Sequence, residues 1–514
     1  MPSYPSLERL KKLISALSSS QKRDFRRYIQ AMGGDSTRYV RLFDAIGNWL
    51  KLRKFPDLFL DELVARKAIR KPDEFSAVAG ILYEKILESM RDTPRSRSAK
   101  NQLRGIMCDV QFLADMELYP ESLALLEKAR EMAKKYEYTY YLLDLYSVER
   151  EILFLSRRPD FFQRLEDIRL EEDRLIEGLH TDQSIYGLNI AVLKRLVQNE
   201  ALPGESKKSL RHWHENLQQN EDAVAGLSFR TQRRLNIALM NDVDYISDRE
   251  SLPNVSRLYY ARRIVDLYDH ALHYKMEEPD LYIQHLGLFL SLALERKDDD
   301  IFEKTRQELS VFEGSAAFYR SVVPVFLHWY YLSGKYEAGC TYISELDLTR
   351  KMGVFQEKMT PSRYLTICFT AFELHWLHRM HAASLQWLER IISYKPATFH
   401  IDLQCYARFL QIPVMYDCRI FHTHLNPSAV TEALQRWLRT RGLTDAFYQN
   451  LLCLAQEIVE SPDHFHTTPT YRKALLRFEN DLPGHPSHSS PLRLMLAWCK
   501  GRAEDKLLHE MLDA

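Results

Sequence analysis

The chain has 514 residues, 46% of them hydrophobic and 27% charged, and its 70 basic side chains balance 70 acidic ones. Those ordinary globular proportions exclude a disordered or collagen-like chain, and the length exceeds what one compact core accommodates, so about three domains or one elongated repeat array is expected. Glycine is scarce, at 17 residues, and Leu, Ala, Glu, Lys, Arg and Gln, which lose least side-chain freedom in a helix, dominate.

The opening stretch carries Glu8, Arg9, Lys11 and Lys12 and offers no apolar run of the length an export signal needs, so a cytoplasmic location is expected. Ser20 reads as the start of a helix ahead of Phe25, and Gly33–Gly34 as its end. Asp73, just after Pro72, is a candidate N-cap. Behind it, Phe75, Val78, Ile81, Leu82, Ile86 and Met90 form one helical stripe. The run from Asp92 to Lys100 breaks the pattern and suggests a boundary. Leu123, Leu126, Ala129, Met132, Ala133 and Tyr136 then recur at three- and four-residue steps. Pro120, Pro159 and Pro279 each stand where a new helix begins. Asp298–Asp300 is placed to cap a helix from Ile301. Leu281–Leu294 and Ser321–Gly334 are uncharged windows of 14 residues. They are shorter than the roughly 18–20 residues a bilayer span requires, so they read as buried core helices and no membrane partner is expected. Gly334 and Gly442 mark later helix ends.

Three segments share one spacing: a ring residue followed at +3, +7 and +10 by small or apolar ones. They are Tyr119, Ser122, Leu126 and Ala129; Tyr336, Gly339, Ile343 and Leu346; and His381, Ser384, Leu388 and Ile391. The ring closes an inter-helix turn, the small residue lets two helices approach, and the apolar residues pack into the neighbour. With Gly334-Lys335-Tyr336, the pattern resembles the tetratricopeptide (TPR) superfamily of helix–turn–helix repeats. It departs from that family in keeping the final small residue only as Ala129 and in lacking a regular period of about 34 residues. The resemblance implies an irregular α-solenoid of antiparallel hairpins, without a peptide-binding groove to carry over residue by residue. The segments Leu17–Phe25 and Tyr39–Ile46 also resemble an uncharacterised group of helical-repeat proteins from Bacteroidetes-type bacteria, which implies a fold and no activity.

Neutrality is not local. Residues 1–104 hold 22 Lys and Arg against 12 Asp and Glu, a surplus of ten that the remainder offsets. Lys22, Arg23, Arg26 and Arg27 fall on one helix, and Arg91, Arg95, Arg97, Lys100 and Arg104 at the junction. Together they are the candidate contacts for an anionic partner such as a phosphate backbone. The competing reading is a solvated face, or a basic unit attracted to the acidic remainder.

Signatures of chemistry are missing. The seven cysteines include no C-x-x-C pair and read as small buried hydrophobes. His375, His378 and His381 are spaced too widely around one helix for a three-ligand site, and His381 belongs to a turn. The pairs His212/His214, His422/His424 and His464/His466 point apart on a helix, and His270/His273 lacks a helpful carboxylate. Pro203–Ser209 lacks the second glycine of a phosphate loop and reads as a turn opening a helix. Glu171/Glu172 reads as an exposed acidic run. The tyrosines Tyr136, Tyr138, Tyr140, Tyr141 and Tyr146, and the run His328–Tyr331, fit hairpin packing or a recognition groove.

The expectation is therefore an all-α protein: a basic helical bundle over residues 1–94, then an irregular TPR-like α-solenoid over 95–514, with a further division near 200–252. Its expected role is a non-catalytic intracellular scaffold for a protein partner, with no metal and no cofactor. The alternative is a nucleic-acid-associated regulator docking through the basic N-terminal segment. An enzyme with an unrecognised site between helices is a third reading.

Overall fold

The computed structural model describes residues 5–33, 37–52, 59–92, 98–156, 160–219, 224–243, 256–296, 298–356, 359–395, 401–419, 427–481 and 490–504, with 506, 508, 511 and 512. Among these, all regular secondary structure is helical, and no helix is long and apolar enough to cross a membrane. The chain divides into two compact units, Met1–His180 and Thr181–Ala514.

The first unit holds two hydrophobic cores. One gathers Leu10, Ile14, Phe25, Ile29, Leu42, Ile46, Leu82 and Ile86 from helices Pro5–Ala16, Ser19–Met32, Thr37–Leu52 and Phe75–Asp92. The second helix starts where Ser18, not Ser20, caps it. The Ser18 hydroxyl accepts from the Gln21 N–H at 3.2 Å, and the Gln21 side chain accepts from the Ser18 N–H at 2.8 Å. This reciprocal capping box selects among three consecutive serines, because only Ser18 has a Gln three residues on. Asp73 lies inside a 3₁₀ turn, Pro72–Glu74, and the helix begins after it, at Phe75. Ile81 is exposed, unlike the rest of its expected stripe. At 100° per residue it falls about 60° beyond the edge that Val78 and Leu82 define.

The second core contains Leu103, Val110, Leu126, Ala129, Ala133, Tyr146, Ile152 and Ile168. Its helices are Ala99–Asp115, Tyr119–Lys135, Thr139–Ser156 and the beginning of Phe161–Gln198.

The second unit is organised around one extended core. Helices near one another in sequence pack together: Phe229–Asp242 on Arg257–His270, Arg257–His270 on Pro279–Leu294, Pro361–Leu377 on His381–Ile392, His381–Ile392 on Ile401–Asp417, and Ala446–Glu460 on Pro469–Asp481. Both uncharged windows are core helices here, at Pro279–Leu294 and Val323–Leu332.

The three segments of shared spacing fold alike. In each, a residue with left-handed backbone ends the first helix: Glu117 (φ 62°), Gly334 (φ 67°) and Arg379 (φ 60°). The next N–H then bonds back across the last turn, Leu118 to Leu113 O at 2.9 Å, Lys335 to Tyr330 O at 3.0 Å and Met380 to His375 O at 2.7 Å. This closes the helix end in a Schellman motif. The ring residue follows and opens the second helix. The small residue three positions on is buried each time. The Ser122 hydroxyl donates to Val110 O of the preceding helix at 2.8 Å. A Cβ on Gly339 would come within 3.0 Å of Leu374 and Tyr330.

Pro203–Ser209 does open a helix, Gly204–Gln219. Asp298–Asp300 departs from expectation: the helix begins at Asp299, and Asp298 makes no capping bond. Asp299 instead accepts the Trp329 indole N–H at 2.7 Å and the Ser333 hydroxyl at 3.3 Å, tying this helix to the next hairpin.

Candidate functional site

The nine basic residues expected to meet an anionic partner fall into two groups along the chain. Lys22, Arg23, Arg26 and Arg27 lie on Ser19–Met32. Arg26 is committed internally: its Nε and Nη2 donate to Asp44 Oδ1 at 2.9 and 2.7 Å, and its guanidinium lies 5.4 Å from the Phe43 ring centre. Lys22 is half-buried, whereas Arg23 and Arg27, four residues apart on one face, are exposed. Lys100 and Arg104 converge on Tyr141, each 5.9 Å from its ring centre, and the Arg104 Nε–H donates to the phenol oxygen at 2.7 Å. Arg95, Arg97 and the side chain of Arg91 lie outside the described residues.

Two acidic groups of this unit are drawn into the helix packing. Glu149, only 5% exposed, accepts from Arg130 at 2.8 Å and from Arg164 at 2.6 and 3.1 Å. The Glu171/Glu172 run is half-buried and paired rather than an exposed patch: Glu171 accepts from Tyr146 and Lys134, and Glu172 pairs with Arg150. Burial alone would raise the Glu171 pKa, but the Tyr146 and Lys134 hydrogen bonds outweigh it and lower the pKa.

The most elaborate polar cluster lies in the second unit, around Asp417. This residue ends helix Ile401–Asp417, where the helix dipole disfavours a negative charge. Its carboxylate is nevertheless 95% buried, with a side-chain exposure of 5%. Indole N–H groups hold it in place: Trp376 donates to Oδ2 at 2.9 Å, and Trp498 sits 3.3 and 3.1 Å from Oδ1 and Oδ2. Arg502 donates to Oδ1 and lies 5.1 Å from the Tyr416 ring centre and 5.4 Å from that of Trp498. His381 faces the same carboxylate at 3.9 Å, and its buried Nδ1 makes no hydrogen bond. Burial lowers the His381 pKa, against the opposing pull of Asp417, and Arg502 and Arg379 push it further down. A cleft of about 220 Å³ opens on this cluster, lined by Trp376, Arg379, His381, Trp498 and Arg502 among others.

No family model, no curated protein and no solved structure matches this chain. What the cluster can do rests on its own chemistry. Asp417 is an acceptor already taken by three donors, which suits a clasp between helices and leaves no oxygen poised to abstract a proton. The donors of this clasp lie 41 to 85 residues from Asp417 in sequence, and no motif announces them.

The histidines are placed separately. His375 is buried and bonded to Ala371 O at 2.7 Å, His378 ends that helix and His381 begins the next. On Gly204–Gln219, His212 is exposed and His214 is buried against the Tyr260 hydroxyl at 2.5 Å. His270 closes Arg257–His270, His273 lies in the short helix after it, and His464 and His466 flank and enter a 3₁₀ turn. His422 and His424 lie outside the described residues. Among the described residues, no three His, Cys, Asp or Glu side chains gather closely enough to hold a metal ion. Most cysteines are buried or half-buried as expected, but Cys108 is exposed. Of the tyrosine cluster, Tyr138 and Tyr146 are buried and Tyr140 is 67% exposed.

Proposed function

We propose that this chain is a non-catalytic intracellular interaction scaffold, an irregular TPR-like α-solenoid whose hairpins present an extended surface to a protein partner. The observation that carries this reading is the repeated hairpin grammar: a left-handed residue, a ring, a buried small residue and two apolar contacts, at 99–135, 323–346 and 361–392. Hairpins of this kind bury one face on each neighbour and leave another to bind. Internal pairing of the buried acids Glu149 and Asp417 further supports structure over chemistry. Affinity purification of the tagged chain from its native host tests the proposal. A partner recovered in stoichiometric amount is expected, and recovery of background proteins alone would refute it.

The exposed pair Arg23 and Arg27, within a segment of surplus positive charge, supports a second reading, docking to nucleic acid. That reading requires retention on DNA or RNA that falls steeply with salt and weakens further in Arg23→Glu/Arg27→Glu. Salt-independent behaviour would remove it.

A further inference from the structure

Helix Phe161–Gln198 enters the second unit at Thr181 and from there carries two apolar faces. Ile185, Leu188 and Val192 are buried in the core of that unit. Asp182 borders this face, accepting from Arg234 at 2.6 Å and from Thr231 at 2.9 Å. Turned out of that core stand Tyr186, Ile190, Leu193 and Val197, which are 55%, 40%, 51% and 81% exposed, with the Arg234 guanidinium 5.7 Å from the Tyr186 ring centre at the edge of the stripe. A helix that covers one face of a core needs one apolar stripe; a second stripe belongs to a helix covered on both sides.

We propose that this outward stripe is the seat of a second copy of the chain, packed as a short parallel two-helix coiled coil. The inference is independent of the scaffold reading. The spacing of the stripe is the first ground. Gln183, Tyr186, Ile190, Leu193 and Val197 step by 3, 4, 3 and 4 residues, the seam spacing of a coiled coil carried over two heptads. The residue types are the second. Ile190 and Val197 are β-branched at the positions that favour them in parallel dimers, Leu193 is at the position that favours Leu, and one polar residue, Gln183, sits where a polar side chain sets register.

Self-pairing also fits the flanks of the seam. Gly187, Asn189, Lys194 and Leu196 border it, Lys194 is their one charge, and in the parallel arrangement it lies across from Asn189, whose amide donates to Arg234 O of its own chain at 2.9 Å, so no like charges oppose. The extent is sufficient. With Leu196 at 43% exposed, the stripe offers roughly 500 Å² per chain, about 1,000 Å² for a pair, the least that a specific interface needs. A two-fold pair places the same stripe on both sides and closes without leaving a free apolar face.

The test is the mass of the full chain by light scattering at tens of micromolar. A particle of twice 60.6 kDa is expected, and Ile190→Glu/Leu193→Glu is expected to raise the dimer dissociation constant at least a hundredfold with unchanged helical circular dichroism. A second measurement does not depend on how that variant folds. Ile190→Cys is expected to oxidise to a disulfide with its own counterpart, located by peptide mass, since equivalent seam positions face each other in a parallel pair. A monomeric wild type, a dimer that survives the glutamates, or an Ile190→Cys chain that does not link to itself would each overturn the proposal.

Discussion

Gly287 carries a sharp prediction. It lies within Pro279–Leu294, and a Cβ built on it would stand 2.4 Å from the Ser321 carbonyl oxygen and 2.8 Å from the carbonyl carbon. Both are backbone atoms, so no side chain can swing aside. The obstacle is helix Ala316–Ser321, whose Phe318 and Tyr319 are locked in the core, so relief requires the two helices to part by most of an ångström. Overpacking of this kind costs roughly 1–3 kcal/mol, and a rigid backbone contact belongs at the upper end. Alanine recovers about 1 kcal/mol in helix propensity, leaving a net loss of about 2 kcal/mol for Gly287→Ala. Gly105 is the control. It sits inside Ala99–Asp115 with nothing within 4 Å of the built Cβ, so Gly105→Ala is expected to stabilise by about 1 kcal/mol. Urea denaturation followed by circular dichroism should separate the two variants by about 3 kcal/mol, with hydrogen exchange locating the loss at 279–294 and 316–321. A Gly287→Ala chain as stable as wild type would refute the close approach.

Asp417 and the histidines yield two more. Asp417→Ala strands two indole N–H groups and the Arg502 guanidinium, so a loss of about 3–5 kcal/mol is expected, with Asp417→Asn losing less because it keeps one acceptor oxygen; a loss below about 1 kcal/mol in urea titrations would refute the clasp. His285 is pushed down to about 4 by burial, with Arg233 adding to the effect, while an unfolded chain takes up this proton near pH 6.5. The stability it confers is therefore complete above pH 6.5 and is lost as pH falls towards 4, by about 1.4 kcal/mol at pH 5.5. Burial lowers His375 and His381 in the same direction. The comparison that checks this is wild type against His285→Asn at pH 7 and 5.5; an identical acid response in both would refute it.

What could be read from sequence follows from how far each determinant reaches. The hairpins were legible because a turn and its packing positions lie within ten residues, as in Tyr119 to Ala129. Even so, only Gly334 revealed its left-handed backbone. Glu117 and Arg379 adopt the same φ at a strain of about 1 kcal/mol, so nothing in their type betrays it. Ser18 rather than Ser20 caps the next helix because the deciding partner, Gln21, stands three residues after Ser18 and returns the bond to its N–H. The charge surplus was countable, but its availability was not. Arg26 is spent on Asp44, 18 residues away, and Arg104 on the Tyr141 hydroxyl, 37 residues away. The Asp417 clasp leaves no local signal because its donors come from two helices, Pro361–Leu377 and Ser490–Glu504, that lie 41 to 85 residues away from it in sequence.

The direction of the pKa shifts bears on what such a molecule is for. A general base needs a carboxylate raised, or a histidine held, near neutral pH. Here burial of Glu278 is outweighed by Arg233 and Arg230, at 2.7 and 3.1 Å, so its pKa falls, and Asp299 is lowered chiefly by the Trp329 hydrogen bond. Among the described carboxylates whose pKa shifts, Asp266 alone moves up, and Arg262, 3.8 Å away, opposes the rise. The shifted histidines move down, so they stay neutral at physiological pH instead of exchanging protons there. Groups tuned away from neutrality serve as fixed charges and fixed dipoles between helices. Glu278 does this for Phe229–Asp242, where its carboxylate fixes both Arg230 and Arg233 against the start of Pro279–Leu294.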